Sequence, residues 1–155
     1  MATPYSALYA SVLSKISDYE FLKYEPDELN EALHDYLRPA IVRFPFCKQN
    51  LTNRDDSNGT FNIELTDTEI EILSDLMVIE WIKTTFIRTA TALKQSLPSK
   101  DFHQWSQANH IKEVRELYKS LMEEVGRIKT LYTHVGNRDN IMLAMRTRLN
   151  AARRW

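Results

Sequence analysis

Between residues 5 and 16, Tyr5, Leu8, Tyr9, Val12, Leu13 and Ile16 fall at the three- and four-residue steps that mark one face of a helix. Pro4 stands just before them, where its fixed φ and missing N–H suit a first turn. "SDYEFLKYE" then interrupts the period. A second helix is predicted from Pro26, with Leu29, Ala32, Leu33, Tyr36, Leu37 and Ile41 on one side. Pro39 falls inside that pattern. Its ring clashes with the preceding turn and it has no N–H to give, which predicts a kink there or a stop shortly before.

The helical period vanishes in "FPFCKQNLTNRDDSNGTFNIEL". Phe61, Ile63 and Leu65 alternate with polar residues, and "NRDDSNG" is rich in turn formers, so a small hairpin between "CKQNL" and "FNIEL" is predicted within about residues 46–65. Two such strands cannot stand alone. They must lie on the helices or complete a sheet with a neighbouring chain.

A third helix opens with a capping box: the Thr66 hydroxyl can accept from the N–H of Glu69 while the Glu69 carboxylate accepts from the N–H of Thr66. Ile70, Leu73, Met77 and Ile82 form one face, and Ile72, Leu76, Val78, Ile79, Trp81 and Phe86 spread well beyond it. A helix apolar nearly all round is buried on more than one side, so it is either central within its own chain or covered by another subunit. The β-branched run "TTFIRTAT" predicts a bend or break near Thr84 to Thr91, ahead of "ALKQSL" and Pro98.

The fourth helix has the clearest period. Ile111, Val114, Tyr118, Leu121, Val125, Ile128, Tyr132 and Val135 alternate steps of three and four, an a/d seam that Leu117, Met122 and Leu131 broaden. "SKDFHQWSQ" is then the connection from the third helix, against which the seam packs unless it serves an interface between chains. The expected fold is all-α: a helical bundle of long antiparallel helices with a small β-hairpin insertion. It forms one domain over residues 1–135, followed by an extended C-terminal arm over residues 136–155.

Composition agrees with this pattern. A chain of 155 residues that is 43% hydrophobic can bury a sizeable core, and only 3 glycines and 5 prolines favour long helices over many short strands. No apolar run approaches the ~20 residues needed to cross a bilayer, and the N-terminus lacks the basic start of a secretion signal. The single cysteine, Cys47, has no internal partner for a disulfide, which fits a reducing compartment.

Charge changes the picture more. The formal net charge of -1 divides unevenly: residues 1–65 carry 6 Lys/Arg against 10 Asp/Glu, and residues 136–155 carry 5 against 1. The basic end also has an apolar rhythm, with Ile141, Met142, Met145 and Leu149 among Arg146, Arg148, Arg153, Arg154 and the terminal Trp155. Those nine residues are the candidate partner-binding set. One reading is a solvated helix end whose cations face the negative end of the dipole. The other is an arm that binds an acidic partner, either nucleic acid or the acidic half of another copy.

Catalytic chemistry finds no constellation. His34, His103, His110 and His134 include no pair at metal-ligand spacing, and there is no second cysteine to help them. Asn53, Asp55, Ser57 and Glu64 have a faint calcium-loop rhythm, but the sharp-turn glycine belongs at position 58 and Gly59 is one late, so an ordinary turn is expected. Cys47 has no evident base beside it, and there is no phosphate loop or nucleophile elbow. "NLT" at Asn50 and "NGT" at Asn58 match glycosylation acceptors only as short strings. No catalytic residue, metal site or cofactor is expected, and the chain is expected not to be an enzyme.

The order "DYLRPAIVRFPFCKQNL", a polar turn, "FNIELTDTEIEILSDLMVIEWIKTTF" and "KDFHQWSQANHIKEVRELYKSLMEEV" resembles small helical virion proteins of tailed bacteriophages, of the head-to-tail connector or adaptor (neck) kind. The resemblance covers roughly residues 5–135. It implies a structural role as a homo-oligomeric ring between the portal protein and the tail or neck proteins, near packaged DNA and away from membranes. The resemblance further implies synthesis in the host cytoplasm and residence at the head-tail junction of the virion. A DNA-binding module using the basic tail is the alternative, or another phage neck or tail-completion protein.

Overall fold

The computed structural model describes residues 2–16, 21–88 and 103–152, and shows a mostly helical chain with a small three-stranded antiparallel sheet. Strand β1 (Thr3–Pro4) leads into helix α1 (Tyr5–Lys15). A short 3-10 turn (Phe21–Lys23) precedes α2 (Pro26–Val42), which has Pro26 in its first turn and a capping box between Glu25 and Glu28. Strands β2 (Arg54–Asp55) and β3 (Thr60–Phe61) follow, then α3 (Asp67–Ile82), a π-helical stretch (Lys83–Arg88) and a long α4 (His103–Ala152).

Helix α3 is the axis of the fold. It touches α1, α2 and α4, and Ile72, Leu73, Leu76, Met77, Val78, Ile79 and Ile82 are all buried. Its nearly all-round apolarity is therefore covered by helices of its own chain, which decides between the two expectations. The capping box forms as predicted: Thr66 Oγ1 accepts from Glu69 N–H at 3.3 Å and Glu69 Oε2 from Thr66 N–H at 2.8 Å. Past Ile82 the helix loosens into π pitch over part of the β-branched run, where a bend or break was expected. The expected "ALKQSL" segment and Pro98 lie outside the described residues.

On four points the structure corrects an expectation or removes one of its alternatives. Helix α2 does not stop before Pro39 but continues to Val42. Pro39 lies in the last turns, where only one ladder bond is lost, and the N–H of Arg43 still reaches the Pro39 carbonyl at 3.1 Å. The hairpin is real but its first strand is Arg54–Asp55, not "CKQNL". Asn50 explains the shift, because its side chain accepts from the N–H of Thr52 at 3.1 Å and its carbonyl from that of Asn53 at 3.0 Å, turning the chain before a strand can start. The sheet needs no neighbouring chain, since Thr3–Pro4 pairs with β3 in register Thr3↔Phe61 and Pro4↔Thr60.

The fourth point concerns α4. It begins at His103, inside the segment expected to be a connection, and it continues through Ala152, so the described part of the expected C-terminal arm is helical. Contacts along α3 and α4 run in opposite directions: Glu69 meets Tyr132, whereas Asp75, further along α3, feels the charge of Glu124, earlier on α4.

Candidate functional site

Helix α4 changes character along its length. From Val114 to Tyr132 the predicted seam packs on the body, with Val125 and Tyr132 buried and Val114, Tyr118, Leu121 and Ile128 half-buried against the core. A second apolar row lies about a quarter-turn away on the same helix. It comprises Leu117 (53% exposed), Leu131 (65%), Val135 (56%) and Met142 (64%). Leu117, Leu131 and Val135, expected in or beside the buried seam, therefore face water. Beyond Thr133 every described side chain of α4, namely His134, Val135 and Met142, is exposed.

The nine residues predicted to bind a partner fall at this end. Ile141, Met142, Met145, Arg146, Arg148 and Leu149 belong to α4, which places Met142 on the face of Leu131 and Val135 by helical register. Of these, Met142 alone has a described side chain, and Arg153, Arg154 and Trp155 lie outside the described residues.

The root of this overhang is fastened to the start of α3. Glu69, 1% exposed, accepts a 2.5 Å hydrogen bond from the Tyr132 hydroxyl, which in turn accepts from the N–H of Lys48 at 2.9 Å. Phe44 meets the Tyr132 ring edge-on, and Lys48 Nζ sits 5.0 Å from its centre. Burial, followed by the bond to Glu69, raises the Tyr132 hydroxyl well above the usual phenol range. Burial also pushes the Cys47 thiol up to about 11, which keeps it protonated and unreactive at neutral pH.

A second fastening lies one helix over. The almost wholly buried Glu80 is held by the Arg43 guanidinium, with Nε 2.5 Å from Oε1, and by Lys83 at 3.4 Å. The Arg43 contact at Oε1 is an ion pair rather than a well-directed hydrogen bond. The Arg43 carbonyl accepts from Lys129 Nζ of α4 at 2.6 Å. Sequence reasoning missed both fastenings, because a lone Glu in a helix gives no sign of which distant residue it meets.

A shallow polar groove lies between α1, α2 and the hairpin. There Asp56 accepts from the Tyr5 hydroxyl at 2.7 Å and from Arg54 Nε at 3.1 Å, and His34 stacks on Tyr5. The Tyr5 bond holds the Asp56 carboxyl below its ordinary range, and the carboxylate is occupied with tying the hairpin to α1. Asp55, the centre of the calcium-like rhythm, takes the N–H groups of Ser57 and Asn58 at 3.0 and 3.1 Å, as an ordinary turn requires. Gly59 completes that turn at φ +61°. Among the described residues no group of three or more His, Cys, Asp or Glu is placed to hold a metal ion, and no helix is long and apolar enough to cross a membrane. Comparison with protein-family models, curated proteins and solved structures finds no match to this chain.

Proposed function

We propose that this chain is a non-enzymatic structural subunit that assembles through the far end of α4. Its sequence resemblance to head-to-tail connector and adaptor proteins of tailed bacteriophages gives that assembly its form. On this reading several copies close into a ring between the portal protein and the tail or neck proteins, as a helical bundle whose C-terminal end is the docking element. The protein is made in the host cytoplasm and resides in the virion.

The observation that carries the proposal is the helical overhang with its exposed apolar row. Most helix stability in proteins comes from packing an apolar face, which the described side chains past Thr133 do not do, and leaving Leu131, Val135 and Met142 largely exposed forfeits part of the roughly 1.5 kcal/mol or more that burying each would bring. A partner surface resolves both. The concentration of cations in residues 136–155 also favours a second reading, DNA binding, but phosphate contacts call for cations alone and leave the apolar row unexplained.

Removing residues 137–155 and measuring mass by light scattering over a range of concentrations tests the proposal. The full chain is expected to form higher species and the truncated chain to stay monomeric with nearly unchanged thermal unfolding. A truncated chain that still assembles makes the overhang dispensable. A truncated chain that unfolds makes it part of the core. A full chain that stays monomeric but binds duplex DNA with strong salt dependence moves the function to the second reading.

A further inference from the structure

We infer that the surface receiving the α4 overhang is the outer face of α2 on a second copy of this chain, so that copies join head to tail. The inference rests on the assembly role proposed above and adds the acceptor. Opposite its buried side, which carries Leu33, Leu37 and Ala40, α2 presents Glu28, Glu31, Asp35, Arg38 and Val42 at steps of three and four, all exposed. Tyr24, just before the helix, and Phe46, just after it, are exposed as well.

This face is complementary to the overhang in three respects. It is acidic through its middle, where the overhang segment carries Arg138, Arg146 and Arg148 against Asp139. It ends in the exposed Val42, an apolar side chain for the row of Leu131, Val135 and Met142 to meet. Its length also fits. The 17 residues of α2 span about 25 Å at 1.5 Å per residue, and the part of α4 beyond Tyr132 spans about 30 Å.

Pairing two overhangs with each other instead brings like charges together, which disfavours a symmetric tail-to-tail dimer. The overhang and the acceptor are different surfaces of one chain, so the contact is heterologous. Such contacts close into a ring when the rotation between copies fits.

Charge reversal on each side tests the pairing. One variant carries Glu31→Lys and Asp35→Lys, which are exposed and clear of the helix start, and the other carries Arg138→Glu, Arg146→Glu and Arg148→Glu. Circular dichroism checks that each retains its helix content. Each variant alone is expected to lose assembly at concentrations where the unaltered chain assembles, and an equimolar mixture is expected to regain it with both variants in the product. An α2 variant that assembles like the unaltered chain overturns the acceptor while leaving assembly through α4 intact, provided removal of residues 137–155 still abolishes it. Two variants that fail alone and also fail when mixed overturn the pairing. An unaltered chain that never leaves the monomer overturns both proposals together.

Discussion

Replacing Tyr132 by Phe isolates the hydrogen bond that fastens α4 to the start of α3. The ring and its edge-on contact with Phe44 remain, so no cavity forms and only the hydroxyl is lost. That hydroxyl gives Glu69 Oε1 a charge-assisted bond in a site where Glu69 is 1% exposed, and water cannot readily replace it. A bond of this kind contributes about 1.5–3 kcal/mol. The same hydroxyl accepts from the Lys48 N–H in a part-buried contact, so losing that acceptor adds the smaller share of a neutral bond to the cost. The expected loss is therefore about 2 kcal/mol, seen as a lower urea midpoint at unchanged slope and a melting temperature lower by roughly 4–8 °C. A cycle with Glu69→Gln should give a coupling above about 1 kcal/mol, since the two groups act on each other. A loss below about 0.5 kcal/mol would mean that the Glu69 carboxylate is satisfied elsewhere, and the fastening would not be what holds α4 in place.

The remaining predictions use the same urea assay unless stated. Leu73→Ala, at a fully buried position on the central helix, should cost roughly 2–5 kcal/mol, whereas Leu121→Ala, at a half-buried position, should cost clearly less, so equal losses would refute the placement of α4. Thr66→Ala removes the acceptor for the Glu69 N–H and should cost on the order of 1 kcal/mol, and an unchanged midpoint would show that the helix starts elsewhere. Burial raises the Tyr9 hydroxyl to about 12, so the folded state holds that proton more tightly than the unfolded chain. Its contribution is complete below about pH 10 and is lost as pH rises toward 12, and Tyr9→Phe should flatten that decline in a pH series of melting temperatures.

What could be read from the sequence was local or periodic. Thr66 and Glu69 lie three apart and each satisfies the other, so their capping box was visible as text. The buried role of α3 was visible because apolar residues all round a helix leave no side for water. Tyr132 was recognisable as a seam position, but its bond to Glu69 spans 63 residues of chain and no local pattern encodes it. Thr3–Pro4 carries no alternation because a two-residue strand is shorter than the period that would reveal it. The seam itself misled at Val135, since a three-four rhythm continues past the point where the body ends and cannot say whether an apolar face is covered. That discrepancy between rhythm and burial points to the overhang.

Hydrogen exchange at the backbone amides of residues 136–152, followed as protein concentration is raised, tests the central claim most directly. An overhang that depends on a partner exchanges rapidly in dilute solution, where a lone helical end frays, and becomes protected as copies assemble, while the amides of α3 stay equally slow throughout. Protection of residues 136–152 that is already present in dilute solution and does not change with concentration would contradict the account, because the helix would then be stable without a partner.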